Sequence, residues 1–403
     1  MKINSKELKT AVENCCRIVP KKVAHAILAC VRIEGNKRNL KITATNLEEF
    51  YSVSVPGKKG EKFDITVDAH QLLKVIKNIK EENLELELER GSDPEDVKLK
   101  IASGMTFRLK ASLEDGDFPV TPVKVFKKSR KVELYNQKVL FEILRKVGFS
   151  TTHHNVNKAY SGILFTGKGS NLEVVTTDIH RLSVVRTKVA KTKKDFVIPV
   201  DSAKNVLKIF ATTGITGIEL ASDTSSDASS KGQMDKILIK SDNEIYISRL
   251  LKNEFPNYEQ VLKPEVVEGS WYEVDKKKIQ AKLKSVIDFH TNAKIVAGAF
   301  DFVGNSLFIN SSGEEDTSVE TSVEMKVVNI RSSEVKIIGL NVKYLHEAIA
   351  NMDNIIMNFE SGRSFTPFYL TDRQPDYTFF HLVMPVRMER LKSRNNKKNA
   401  KAA

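Results

Sequence analysis

The sequence predicts an α+β protein built from three copies of one two-helix, multi-strand domain. Three observations carry that prediction. An amphipathic helix, a β-hairpin strand, and a strand that runs into a second helix each occur three times, always in the same order. The composition permits a packed core. Of 403 residues, 41% are AVILMFWYC and 29% are charged, which excludes a disordered or collagen-like chain.

The first helix of copy one carries Leu8, Val12, Cys15 and Val19 at helical spacing, with Ser5 as candidate N-cap. Copy two has Leu140, Ile143, Leu144 and Val147 after Asn136; copy three has Ile279, Leu283, Val286, Ile287 and His290 after Asp275. The hairpin strand is 40–47, then 172–179 at an offset of 132, then 307–312 at a further 135. Its alternation and β-branched content make it a strand. The third segment, 65–69, leads into Leu72, Leu73, Ile76 and Ile79; 198–202 leads into Val206, Leu207 and Phe210; 338–341 leads into Leu345, Ala348, Ile349 and Met352. Asp68, Asp201 and Asn341 are the candidate caps there. Asp117-Phe118-Pro119 and Glu254-Phe255-Pro256 repeat at an offset of 137, just before the joints. The expected domains are 1–125, 126–263 and 264–388, followed by a basic extension, 389–403. Two helices per copy suffice for one face of a sheet, so both are expected on the same face. The Ser/Asp-rich 222–233 reads as an enlarged mobile loop.

The 64 Lys+Arg exceed the 51 Asp+Glu, giving a net charge of +13. The last 15 residues hold six basic side chains against Glu389 alone, a net +5, which leaves +8 on the body. That extension reads as solvated and disordered, either solubilising or a weak phosphate-binding arm. On the body, basic residues recur along the polar helix faces: Lys6, Lys9 and Arg17, with Lys22 just beyond; Lys74 and Lys77; Lys138, Arg145 and Lys146; Lys204 and Lys208; Lys278 and Lys282; and Lys343. One such face is ordinary solvated surface. Recurrence on at least five of six helices points to a polyanion partner.

No catalytic frame emerges. Gly167-Lys168-Gly169 is a turn without the phosphate-loop spacing. Cys15-Cys16 and His153-His154 lack metal-ligand spacing, so no metal and no cofactor is expected. Three cysteines cannot build a disulfide framework and fit a reducing cytoplasm. No apolar run approaches the roughly 18 residues of a membrane span, so no membrane partner is expected.

Thr177-Asp178-Ile179-His180-Arg181-Leu182 resembles the T-D-G-H-R-L signature of the bacterial sliding clamp family, the beta subunit of DNA polymerase III. Phe255-Pro256-Asn257-Tyr258 with Val261-Leu262 resembles its F-P-D-Y-x-x-V-L segment, and Met384-Pro385-Val386-Arg387-Met388 its C-terminus. The resemblance covers residues 1–388. It implies three clamp domains forming half of a closed ring, a homodimer around duplex DNA, and no catalysis. It also implies a pocket that takes linear peptides of the polymerase alpha subunit and of clamp-loader subunits. Carried over, that pocket comprises Thr177, His180, Arg181, Leu182, Pro256, Val261, Thr366, Pro367, Leu382, Met384, Pro385 and Arg387, with Arg at its polar rim. Ile79 and Phe107 against Val286 and Ile287 are the dimer candidates by position. Ile179 departs from the family's Gly, and Gln260 and Tyr160 from its usual Arg and Leu. The competing expectation is a basic DNA-binding protein that does not encircle its ligand.

Overall fold

The fold comes from a computed structural model, which describes residues 2–20, 22, 25–58, 62–79, 83–90, 96–101, 106–110, 118–152, 158–222, 234–262, 269–290, 293–312, 317–329, 336–360 and 366–387. His153, His154, Met388, the extension 389–403 and all of 222–233 except Ser222 lie outside them.

The first repeat runs β1 (Lys2–Asn4), α1 (Ser5–Ile18), β2 (Cys30–Gly35), β3 (Asn39–Thr45), β4 (Glu49–Lys58), β5 (Phe63–Asp68), α2 (Ala69–Lys77), β6 (Asn83–Arg90), β7 (Asp96–Ile101), β8 (Thr106–Lys110). The second runs β9 (Arg130–Leu134), α3 (Gln137–Val147), β10 (Gly162–Lys168), β11 (Asn171–Thr177), β12 (Arg181–Thr187), β13 (Ala190–Lys191), β14 (Phe196–Pro199), α4 (Val200–Ile209), β15 (Gly217–Ala221), β16 (Lys236–Lys240), β17 (Glu244–Arg249). The third runs β18 (Gly269–Val274), α5 (Lys276–Phe289), β19 (Ala297–Val303), β20 (Ser306–Ser312), β21 (Ser318–Asn329), β22 (Lys336–Asn341), α6 (Val342–Ala350), β23 (Ile355–Glu360), β24 (Phe368–Arg373), β25 (Tyr377–Val383).

These elements condense into two compact units, residues 1–137 with 198–252, and 138–197 with 253–403. In the first unit α1 packs on β3 and β4 and against α2 and α4. Its inward stripe, Leu8, Val12 and Cys15, is buried as the spacing predicts. The unit is closed by antiparallel pairing of β4 with β17, where Tyr51 sits opposite Tyr246. Both tyrosines are fully buried, so each hydroxyl needs a partner. Tyr51 donates to Glu244 Oε1 at 2.6 Å, and Thr213 donates to Glu244 Oε2 at 2.5 Å. Tyr246 donates to Glu49, which also accepts from Asn205 Nδ2 at 3.1 Å.

The second unit contains the sheet order β10-β11-β12-β25-β24-β23-β18-β21-β20-β19-β22. Helix α5 packs on β21 and against α6, burying Ile279, Leu283 and Val286. The β10–β11 hairpin shows why Gly167 and Gly169 stand where they do. A Cβ on Gly167 would lie 2.4 Å from Thr192 O, and Gly169 turns the chain at φ +60°.

Three helix caps are as the sequence suggests: Asp68 accepts from Gln71 N at 2.7 Å, Asp275 from Lys278 N at 2.8 Å and Asn341 from Lys343 N at 3.2 Å. Two differ. Asn4, not Ser5, caps α1, its Oδ1 taking Lys6 N at 3.0 Å and Glu7 N at 3.1 Å. Pro199 occupies the N-cap position of α4, so Asp201 falls inside the first turn and pairs with Lys204 at 3.3 Å. Lys146 is not a solvated face residue either. It is buried and donates to Asn351 O at 2.8 Å and Asp353 at 3.0 Å, with Asp372 3.9 Å away.

Candidate peptide pocket and nucleic-acid interface

The signature segment 177–182 is a hydrogen-bonded turn between β11 and β12. Asp178 Oδ1 accepts from His180 N at 3.1 Å and Arg181 N at 3.0 Å, an Asx turn. Thr177 Oγ1 donates to Arg181 O at 2.7 Å and accepts from Ile179 N at 3.1 Å. This folding puts Ile179 at φ +81° and leaves it 54% exposed. A β-branched residue is strained in that region, where the signature it resembles carries Gly.

Strand register then assembles the remaining wall. Leu182 lies opposite Leu382, and Leu382 opposite Tyr369. Tyr369 Oη donates to Val261 O at 2.9 Å, and Met384 N donates to His180 O at 2.8 Å. Tyr258 fixes the turn bearing Val261 by donating to Glu173; burial, and then that bond, push its phenol well above the usual range. Leu182 and Leu382 are buried, while Ile179, Val261, Met384 and His180 stay exposed, the His180 ring stacking toward Tyr344 at 6.5 Å between centroids. Thr366 and Pro367 lead into β24, half-buried, as are Pro256 and Pro385; Thr177 is buried and Arg387 exposed. The arrangement offers an apolar floor with an exposed aliphatic margin, suited to a bulky apolar anchor.

Arg181 is not a rim residue. It is buried and each of its three guanidinium nitrogens donates a hydrogen bond. Nε donates to Asp178 Oδ2 at 2.8 Å, Nη2 to Phe149 O at 2.9 Å, and Nη1 to Glu347. The ring centroid of Tyr344 lies 4.3 Å from the guanidinium carbon. Arg181 therefore fixes the turn from within. Tyr344 and Glu347, three apart on α6, were not singled out by the sequence, although that spacing puts them on one helix face.

Behind the seam His381 is fully buried, its Nδ1 2.8 Å from Ser183 Oγ, which is 2.6 Å from Ser150 Oγ. Burial, then the charge of Arg181, pushes its pKa down to about 3. A neutral imidazole with no access to solvent is a packing element.

Lys6, Lys9, Arg17, Lys22, Lys74, Lys77, Lys138, Arg145, Lys204, Lys208, Lys278 and Lys282 are all exposed. Only Lys77, at 3.8 Å from Glu13, and Lys204 form an ion pair among the described residues. Lys343 differs: half-buried, it donates to Ala293 O at 2.6 Å. Of the dimer candidates, Val286 is fully buried in the core of its own unit and has no surface to offer a partner. Ile79, Phe107 and Ile287 are half-buried. Cys15 and Cys16 are poor nucleophiles, burial raising both thiols, Cys16 to about 11. Among the described residues no three His, Cys, Asp or Glu cluster at metal distance, and no helix is long and apolar enough to cross a membrane.

The beta sliding clamps of Chlamydia pneumoniae and Rickettsia bellii are 23% and 24% identical, over 96% of this chain and 98% and 99% of theirs. The solved DNA polymerase III beta subunit of Thermotoga maritima covers 96% of this chain and 99% of its own, at 21% identity and a TM-score of 0.80. The solved sliding clamp of Bacillus subtilis covers 96% and 98%, at 17% identity and a TM-score of 0.81. Residues 1–122 match the family model of the DNA polymerase III beta subunit N-terminal domain and residues 134–257 that of its central domain. Together these matches take in more than half of the sequence, and the chain belongs to the DNA polymerase III beta subunit family.

Proposed function

We propose that the chain is a non-catalytic DNA sliding clamp. Two copies close head to tail around duplex DNA, and the pocket around Leu182, Leu382 and Met384 tethers the polymerase alpha subunit and clamp-loader subunits by linear peptides. The three clamp domains are 1–125, 126–263 and 264–388. The exposed lysines of the helices give weak, sequence-independent attraction to phosphates, which permits sliding where specific contacts would act as a brake. Three free thiols fit a reducing cytoplasm.

One observation carries the closure. In the first unit β4 takes β17 as neighbour, and in the second β12 takes β25. The repeat-equivalent stretch of β21, residues 318–323, pairs with β20 alone among the described residues, and β8 ends its sheet. The third repeat's edge fits the first repeat's edge in another copy. Transferring the Tyr51–Tyr246 and Ser183–His381 register puts Leu109 opposite Val319 and Arg108 opposite Glu320 of that copy. The parity is right, because Leu109 is buried and Val319 lies on the more buried side of its strand.

Light scattering should give about twice the 45.3 kDa chain mass. The assembled protein should stay on nicked circular DNA and leave after linearisation. Equal retention on both forms would instead support a basic protein that does not encircle its ligand.

A further inference from the structure

The first unit holds a cavity of about 300 Å³ that the proposed function does not use, lined by Leu47, Glu48, Phe50, Pro122, Lys236, Ile247 and Arg249. It repeats the pocket of the second unit, position for position. Leu47, Glu48 and Phe50 stand 132 residues before Ile179, His180 and Leu182. Ile247 and Arg249 stand 135 before Leu382 and Met384. The turn is also the same. Thr45 Oγ1 donates to Glu49 O at 2.8 Å and accepts from Leu47 N at 2.9 Å, and Asn46 Oδ1 accepts from Glu48 N at 3.0 Å. Leu47 takes φ +74°, beside +81° at Ile179. Phe50 lies opposite Ile247 as Leu182 lies opposite Leu382, and Arg249 N donates to Glu48 O at 2.9 Å as Met384 N does to His180 O at 2.8 Å. Ten large apolar residues are exposed among the described residues. Three, Ile179, Val261 and Met384, belong to the second unit's pocket; Leu47, Val120 and Val123 belong to this one or flank its Pro122. Surface apolar residues concentrated this way mark binding sites.

What differs is charge. Arg249 stands in place of Met384. Lys236, opposite Arg249, takes the position that Pro367 holds beside Met384. Arg249 pairs with Glu48 at 3.4 Å, but both side chains are more than half exposed, so an incoming carboxylate can replace that contact at little cost. The volume is at the lower end for ligand pockets and holds one or two apolar side chains.

We propose that this cavity is a second linear-peptide pocket, selective for a bulky apolar anchor flanked by acidic residues. The analogy rests on the peptide-binding reading of the second unit, and the test separates the two. The full chain, ¹³C-labelled at Ile and Leu methyls, is titrated with an acetylated tetrapeptide of two aspartates, leucine and phenylalanine. Saturable shifts are expected at Leu47 and Ile247, retained in Met384→Asp. They should weaken about tenfold in Lys236→Ala/Arg249→Ala and vanish when lysines replace the aspartates of the peptide. Shifts confined to Leu182 and Leu382 would overturn this proposal and leave the first pocket standing. Shifts confined to Leu47 and Ile247 would support it while removing the first. Shifts at Leu47 and Ile247 indifferent to peptide charge, or none at millimolar peptide, would also overturn it.

Discussion

Replacing Arg181 with methionine tests whether the signature turn is held by a buried charge. The variant keeps side-chain length but leaves Asp178, whose side chain is only 9% exposed, without its cation, and Phe149 O without its donor. Removing one partner of a buried pair costs about 3–5 kcal/mol. The lower end is expected, because Asp178 Oδ1 still accepts from two backbone N–H groups. Glu347 adds only about 0–1 kcal/mol, its side chain being 48% exposed. Asp178→Asn keeps the turn acceptor and removes the stranded charge. In the double variant with Arg181→Met, about 2 kcal/mol should therefore return as coupling. Hydrogen exchange read by mass spectrometry over residues 177–187 reports this locally, where whole-chain unfolding would mix the two units. A loss below about 1 kcal/mol in Arg181→Met, or a coupling below about 0.5 kcal/mol, would refute the reasoning.

Three further outcomes are expected. The unfolded chain binds a proton at His381 near pH 6.5, but the folded chain binds it only near 3, so this stability is complete above 6.5 and is lost as pH falls between those values. The slope is about 1.4 kcal/mol per pH unit, and urea titrations of His381→Leu should lack it. Ile179→Asn should raise stability by about 0.5–1 kcal/mol, since Asn tolerates the left-handed region; a fall in the urea midpoint would contradict the strain. Lys6→Ala/Lys9→Ala/Lys278→Ala/Lys282→Ala removes four cations from each of two copies and should flatten the salt dependence of DNA retention by up to about 7 in logarithmic slope, while an unchanged slope would remove these residues from the interface.

The repeat, the helix stripes and most cap positions were legible because they are local patterns of spacing and side-chain type. The cap errors have a local cause as well. Both Asn4 and Ser5 can cap, and only backbone direction selects between them. The roles of Arg181, Lys146 and Lys343 were not legible. Each lies on a helix face or turn where a solvated cation is the default, and each is captured by a carbonyl or carboxylate distant in sequence: Phe149 O and Glu347, Asp353 and Asn351 O, Ala293 O. Val286 shows the reverse: named for the dimer edge by position alone, it is buried with Ile279 and Leu283, as its place on the same helical stripe already implied. The cavity at Leu47 was legible in principle, since residues 40–47 were already aligned with 172–179. What hid it was the absence of a family signature at Asn46-Leu47-Glu48.

The β4–β17 seam also bears on synthesis. Tyr51 waits for Glu244, 193 residues downstream, and Glu49 waits for Tyr246. The compact units are out of step with the repeats, since α4 through β17 close with the first repeat rather than with the rest of the second. A ribosome that has emitted the whole first repeat has therefore not emitted a finished unit, and Glu49, Tyr51 and the apolar edge of β4 remain uncovered until residues 244–249 emerge. Pairings this distant in sequence form slowly, which makes that interval the point in the life of the chain when a holding partner would matter most.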